Sequence, residues 1–385
     1  MNEDNSREWR LNTVLPVSYY VKNSANIFGL ENPDILGFGT EGPGSRRLVV
    51  IDLKVSELYL KQIIEYLIKY KIDYHVVILD ATETKKNIDT LLYLLKEIES
   101  FGLSRKNEPI LAVGGGVLLD IVGLAANLYR RGVPYICVPT TLLGLVDASV
   151  GAKTSINFEN RRNRLGSYYP PIAAYIDKSF LETLEPIEIS SGIGEILKMA
   201  VVKDLALFEI LKSHGRTLYE SKFLDCEYAD EVINRSVKGM IDELQENLWE
   251  KNLKRLVDFG HSFSPIPEMR SLVDDNVPTL THGQAVTLDV IFSSVISFIR
   301  GKLSSQGVVD IIKVAREVGL PTHHPYFADS NILMEALNDT IKHRNGDQNL
   351  PIPIEIGTSL FVNDLTYDEI KEAAQSMQAF HDEVN

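Results

Sequence analysis

Between Arg46 and about Val138 the spacing of apolar positions switches back and forth. "RRLVVID" (46–52), "YHVVILD" (74–80), "PILAVGGG" (109–116) and "YICVP" (135–139) are apolar runs of strand length. Between them lie "SELYLKQIIEYLIKY" (56–70), "KNIDTLLYLLKEIESFG" (86–102, closing on Gly102) and "LLDIVGLAANLYRRG" (118–132). In these the apolar residues recur every three or four positions, the spacing that puts one stripe of a helix into a core. Strands alternating with helices predict a parallel sheet covered on both faces, an α/β fold of Rossmann-like character.

After Pro186 the pattern changes. "ISSGIGEILKMAVVKDLALFEILKSHG" (189–215), "GQAVTLDVIFSSVISFIRGKLS" (283–304) and "QGVVDIIKVAREVGL" (306–320) carry helical spacing, and strand-like runs become scarce. Proline suits the first position of a helix, so the change is placed at "ETLEPIE". The chain of 385 residues is long for one core. It is read as an α/β domain over 1–185 and a mainly α-helical domain over 186–385.

Composition narrows the partners. A formal charge of −14 disfavours nucleic acid and anionic membranes. No apolar run is read as reaching the roughly 18 residues of a membrane span. The opening "MNEDNSREWR" is polar and acidic, unlike a secretory signal. Cys137 and Cys226 have no metal-type spacing, and few cysteines without a signal point to the cytoplasm. A small phosphorylated ligand remains compatible through local basic clusters: "RRNR" (161–164), Lys198, Lys254 with Arg255, and "KHR" (342–344).

Several segments carry candidate chemistry. In "AVGGGVLLDIVG", Gly114–Gly116 join a buried strand to a helix. Glycines there let a backbone approach a pyrophosphate at a helix N-terminus, and Asp120 is placed to reach a ribose hydroxyl. A tight structural turn fits the same residues. Asp52, Glu83 and Lys86 follow strands, at the ligand edge of a parallel sheet or on a solvated loop. "VPTTLLGLVDASVGAKTSIN" sets Asp147 and Lys153 in weakly charged surroundings, where charged groups tend to be paired or functional. Glu195 and Lys198 share a helix face, as a simple ion pair also would. His261 in "FGHSFSP" and His282 in "LTHGQAV" each stand at a glycine junction. One carboxylate with two histidines is a common catalytic zinc set that leaves a position open.

Taken in order, "GGGVLLD", "VPTTLLGLVDASVGAKT", "NRLGSYYPP", "GIGEILKMA", "FGHSFSP" and "LTHGQAV" resemble the dehydroquinate synthase superfamily of sugar phosphate cyclases, from about Asp52 to Leu365. The resemblance implies a divalent metal, zinc or cobalt, on Glu195, His261 and His282. It implies NAD against Asp52, Glu83, Lys86, Gly115, Gly116, Val117, Asp120, Thr140, Thr141, Lys153, Arg162, Phe180, Leu181 and Thr183. It implies substrate and phosphate against Asp147, Lys153, Arg162, Asn163, Lys198, Lys254, Asp258, His343 and Arg344. A homodimer is also implied.

Two positions depart from dehydroquinate synthase itself. That enzyme has a second histidine where this chain has Pro265, and asparagine where it has Asp258. A carboxylate at Asp258 is expected to repel a carboxylate substrate and favour a neutral polyol end. The pattern resembles the branch that cyclises sedoheptulose 7-phosphate, and within it the 2-epi-5-epi-valiolone type. Desmethyl-4-deoxygadusol and 2-epi-valiolone synthases use the same substrate. The implied chemistry is transient oxidation by NAD, loss of phosphate, re-reduction and intramolecular aldol closure. A metal- and NAD-dependent polyol dehydrogenase, or a binding protein without activity, are the competing classes.

Overall fold

In the computed structural model, residues 9–38, 46–159 and 161–384 are described. Most of the acidic opening segment lies outside them. Among the described residues ten strands run in chain order: β1 (Tyr20–Asn23), β2 (Arg46–Asp52), β3 (Asp73–Leu79), β4 (Ile110–Gly114), β5 (Tyr135–Pro139), β6 (Lys153–Phe158), β7 (Arg161–Tyr168), β8 (Ala173–Ile176), β9 (Leu350–Glu355) and β10 (Thr358–Val362). The helices are α1 (Leu53–Lys69), α2 (Ile88–Phe101), α3 (Gly116–Leu128), α4 (Pro186–Lys203), α5 (Leu205–Glu220), α6 (Ala229–Asn247), α7 (Pro265–Ser271), α8 (His282–Ile299), α9 (Ser305–Glu317), α10 (Pro325–Ala328), α11 (Ser330–His343) and α12 (Tyr367–Val384).

Six strands form one sheet in the order β1-β8-β5-β4-β2-β3, every pairing parallel. Successive side chains of a strand point to opposite faces. Accordingly Leu48 and Val50 pack with Leu118, Ile121 and Val122 of α3, while Val49 and Ile51 pack with Ile63, Tyr66 and Leu67 of α1. The four expected strands are all present. β1 and β8, each four residues long, were not expected. The carboxyl ends of β2, β4 and β5 therefore line up Asp52, Gly114–Gly116 and Thr140–Thr141 along one edge.

The rest of the chain is helical around α4 and α8. Pro186 occupies the start of α4. The expected helical run 189–215 is in fact two helices. Asp204 ends α4 and caps α5, its side chain accepting from the Leu207 N–H at 3.0 Å. α8 is long and apolar enough on average to cross a membrane, but polar residues such as Gln284 and Asp289 interrupt its apolar positions and it is packed inside the protein. The helical core also takes in Leu142, Leu145 and Val146 from the segment after β5. Two antiparallel hairpins, β6–β7 and β9–β10, complete the fold and had no counterpart in the periodicity.

Candidate active site

α4 and α8 touch through glycine. A Cβ on Gly283 would fall on the carbonyl of Ser191, and one on Gly194 would fall on the carbonyl of Gly283. The Gly283 N–H donates to the Ser191 hydroxyl at 3.0 Å. "SSGIGE" and "HGQ" are thus complementary surfaces, and their contact brings Glu195 of α4 beside His282, the first residue of α8. Thr281 and Gln284 form a capping box that fixes that helix end. His261 comes from the loop before α7.

The three side chains converge. Their donor atoms all lie within 4.8 Å of one another. His282 Nε2 is 3.0 Å and His261 Nε2 is 3.5 Å from Glu195 Oε1. Zinc bonds of about 2.0–2.2 Å in a tetrahedron put neighbouring donors roughly 3.3 Å apart, so these separations fit one ion. The other ring nitrogens are engaged. His261 Nδ1 is 3.0 Å from the Phe259 carbonyl and His282 Nδ1 is 3.1 Å from Glu268 Oε2. The Phe259 carbonyl takes an Nδ1–H from His261, which leaves that ring's Nε2 lone pair free; His282 Nδ1 meets both the Glu268 carboxylate and the Arg162 guanidinium, an acceptor and a donor, with Nε2 facing Glu195. Neither oxygen of buried Glu195 accepts a well-aligned hydrogen bond, although Lys198 Nζ stands 2.5 Å from Oε2. Three electron-rich donors facing inward repel one another until a cation sits among them, so the residues present suit a divalent metal.

The electrostatics differ between the two rings. Burial pushes the His261 imidazole down to about 3, against the pull of Glu195, so it is a neutral donor at ordinary pH. Burial and Arg162 press His282 downward, but Glu268 and Glu195 raise it. Burial opposes the charge on Glu195, yet Lys198 and the two histidines hold it well below the usual carboxylate range. Lys198 is itself raised by Glu195 and Asp147, against burial. Asp147 lies in a π-helical turn (Gly144–Ala148) and is raised by burial and by Glu195.

At the sheet edge, Gly115 precedes α3 without a side-chain cap, so the N–H groups of its first turn stay available. A Cβ at Gly115 would be 3.0 Å from Thr141 Cγ2, and one at Gly116 3.3 Å from the Ala148 Cβ. Val117 is partly exposed beside them. Asp52 caps α1, accepting from Lys54 N at 2.9 Å and Val55 N at 3.3 Å, and takes Ala81 N at 3.3 Å. Lys86 is buried between Asp120 (2.5 Å) and Asn163 (2.6 Å). Glu83 accepts from Asn157 at 2.8 Å and lies 3.6 Å from Arg162. Thr140 is buried, its N–H on the Gly114 carbonyl, and Thr141 caps the Gly144 N–H. Phe180 and Leu181 are core residues; Phe180 meets Phe28 and Tyr59 edge-on. Of that segment Thr183 is exposed, its hydroxyl 2.9 Å from that of Tyr59.

The substrate-side expectations are rearranged. Lys153 stands 2.5 Å from Glu250, and Glu250 also takes Tyr168 at 2.9 Å and contacts Arg255; the competing partner weighed for Lys153, Asp147, is not the one it contacts. Lys254 is exposed, and the neighbouring Arg255 is the buried cation, bonding Asp258 at 3.0 and 2.7 Å. Arg344 adds a third contact to Asp258 at 3.3 Å. Burial opposes the Asp258 charge, but Arg255 and Arg344 hold its carboxyl low. The expectation that Asp258 repels an anionic substrate does not stand, because two guanidinium groups already balance it. His343 is pressed downward by burial and by Arg255. Pro265 opens α7, a position where a missing N–H costs nothing.

Sequence reasoning missed Glu250, Glu268 and Asp289, and named Arg255 only as part of a basic cluster while assigning the substrate role to its neighbour Lys254. Glu268 and Asp289 had a readable signal, being acids inside apolar stretches ("SPIPEM", "VTLDVIF"), the same signal that marked Asp147.

Residues 76–191 match the family model described as 3-dehydroquinate synthase N-terminal, and residues 192–343 match 3-dehydroquinate synthase C-terminal. The chain belongs to the dehydroquinate synthase family. Within the family it is 44% identical over 385 aligned positions to the 2-epi-5-epi-valiolone synthase of Streptomyces albus, covering 98% of this chain and 92% of that one. It is 34% identical to the demethyl-4-deoxygadusol synthase of Trichormus variabilis, covering 90% and 84%. The solved structure of ValA, the 2-epi-5-epi-valiolone synthase of Streptomyces hygroscopicus subsp. jinggangensis 5008 with NAD+ and Zn2+ bound, superposes with a TM-score of 0.90 at 42% identity. It covers 96% of this chain and 99% of that one.

Proposed function

We propose that this member of the family is a sedoheptulose 7-phosphate cyclase that forms 2-epi-5-epi-valiolone and releases phosphate, a carbon–oxygen lyase. The observation that carries the reading is its near full-length likeness, at 44% identity, to a synthase of that name. The converged Glu195, His261 and His282 support it, since they are the donors such a reaction needs. The two halves, 1–185 and 186–385, are read as the NAD-binding and metal-binding units. A cytoplasmic homodimer is the setting the family resemblance implies.

Glu195, His261 and His282 would hold the metal. Gly115 and Gly116 would meet the pyrophosphate of NAD, with Asp52, Glu83, Lys86, Asp120, Thr140, Thr141 and Thr183 around it. When bound, the metal acidifies a substrate hydroxyl and NAD accepts and returns a hydride. The chain's own residues do the rest. Lys198, held charged beside Glu195, donates toward an oxygen that gains negative charge. Asp147, raised by burial, is suited to take and release a proton near that oxygen. Lys153, Arg162, Asn163 and Arg255 supply donors for phosphate and hydroxyls, with His343 and Arg344 behind them. The enclosure of Glu195 and Lys198 strengthens the interactions those two side chains make by excluding water.

The experiment is to incubate the protein with NAD, a divalent metal and sedoheptulose 7-phosphate and identify the product by NMR. Turnover to 2-epi-5-epi-valiolone is expected, with negligible turnover of the seven-carbon acid phosphate that dehydroquinate synthase uses. Preference for the acid, or accumulation of NADH without phosphate release, would overturn the reading.

A further inference from the structure

His261 and His282 stand on neighbouring segments, and each segment sends a buried carboxylate to the other. α7, which follows His261, carries Glu268. Its Oε2 lies 3.1 Å from His282 Nδ1 and accepts from Arg162 Nη1 at 2.8 Å. α8, which begins at His282, carries Asp289 about two turns on. Its Oδ2 accepts from Phe263 N at 2.6 Å and Ser264 N at 2.9 Å, and its Oδ1 accepts from Ser293 Oγ at 3.0 Å. Glu268 is 2% and Asp289 0% exposed. An enclosed carboxylate is costly unless its oxygens are occupied, and an apolar pair of the same volume would hold two helices together as well. Two such groups at one helix contact therefore call for a reason beyond packing.

We propose that Glu268 and Asp289 are positioning residues of the metal centre: α7 orients the imidazole at the head of α8, and α8 pins the loop that carries the other imidazole. The inference rests on the reading of Glu195, His261 and His282 as metal ligands. Glu268 Oε2 and Arg162 Nη1 both contact His282 Nδ1, and in this proposal the carboxylate, with Arg162 held on the same oxygen at 2.8 Å, takes the Nδ1–H, so that the Nε2 lone pair points at Glu195. A carboxylate on the far nitrogen also makes the ring a stronger donor. Asp289 acts through the backbone. Ser264, which precedes α7, makes no side-chain cap, and its hydroxyl turns back to the Gly260 carbonyl at 2.7 Å. The N–H groups of residues 263 and 264 are instead satisfied by Asp289, two and three positions from His261. With that anchor gone the loop can slide, and His261 Nε2 loses its place 3.5 Å from Glu195.

The test uses the full chain, stripped of metal and titrated with Co2+. Affinity is read by competition with a chelator and geometry by the visible ligand-field spectrum of the bound ion. Wild type is compared with Glu268→Gln, Asp289→Asn and, as a surface control near α7, Glu335→Gln. Each buried variant is expected to weaken Co2+ roughly 10–100-fold, the usual loss for an outer partner of a ligand. Glu268→Gln should also change the spectrum, which a role confined to stability would leave alone. The control should match wild type. Folded variants with wild-type affinity and spectrum would overturn the proposal. If one variant fails to fold, the other decides; if both fail, the carboxylates belong to the core and the proposal falls. Wild type that takes up no Co2+ at this site would instead sink the ligand assignment itself, and the inference with it.

Discussion

Around Glu195 the charged groups face a gap, whereas around Glu250 and Asp258 they already close on one another. In the first region a carboxylate without an aligned hydrogen bond looks at two imidazole lone pairs. In the second, Lys153, Arg255 and Arg344 meet Glu250 and Asp258 in a continuous network. The first arrangement has Lys198 on one oxygen of Glu195 and leaves the other facing two imidazoles, a geometry that suits a further cation. The second has each cation already paired with a carboxylate, and an anion entering it must take donors away from them. On the proposed reading that difference suits the first region to hold a metal firmly and the second to re-pair around a phosphate and release it.

The comparison breaks most sharply at Glu195. Glu195→Gln removes the charge but keeps the volume, and should lower turnover at least roughly 10³-fold, the upper range for one electrostatic group. Steady-state kinetics with excess metal checks it. Activity within tenfold of wild type would mean that the gap is a packing accident.

Lys153 tests the other region. Its side chain is 54% exposed and paired with Glu250, an arrangement typical of a surface ion pair of little consequence for stability. Glu250 keeps Arg255 and Tyr168 when the lysine is lost. Lys153→Ala should therefore leave the melting temperature within about 2 °C, in line with the ~0–1 kcal/mol of exposed pairs, while kcat falls roughly 10²-fold. A fall in melting temperature with kcat retained would reduce Lys153 to a staple of the hairpin.

How far these regions were legible in the sequence follows from the same contrast. Glu195, His261 and His282 were readable because each sits at a local irregularity: a carboxylate on an apolar helix face, or a histidine at a glycine junction. The four strands were readable because parallel strands buried on both faces leave unbroken apolar runs. β1 and β8 were not, since four residues such as "YVKN" carry too little pattern to register. Lys254 and Arg255 are adjacent in a stretch without helical or strand period, so nothing local says which one turns inward. Glu250, Glu268 and Asp289 earn their roles from partners far off in sequence or on other elements, as when Glu268 reaches Arg162 and Asp289 reaches Phe263. The apolar setting of Glu268 and Asp289 marks them as unusual, but only the folded contact says what they hold.

The smallest expected effect is a slope with pH, and it sharpens the claim that the second region is self-compensated. Burial alone would raise the Asp258 carboxyl, but Arg255 and Arg344 hold it below its ordinary 3.8. A carboxyl lowered on folding adds stability that is complete above the unfolded value and is lost as pH falls through the folded one. Asp258→Asn removes that titration, whatever its constant cost at neutral pH. The difference in melting temperature between wild type and Asp258→Asn should stay level down to about pH 5, because an ordinary aspartate near 3.9 is still largely ionised there. It should narrow below pH 3.8, as the unfolded chain gains a proton that the folded network resists. The measurement is a set of thermal melts of both proteins from pH 7 to pH 3 in the same buffer series. A difference that widens on acidification would mean that Asp258 is protonated in the fold. The two arginines would then be free cations, and the region would be a preformed anion site like the gap at Glu195 in reverse.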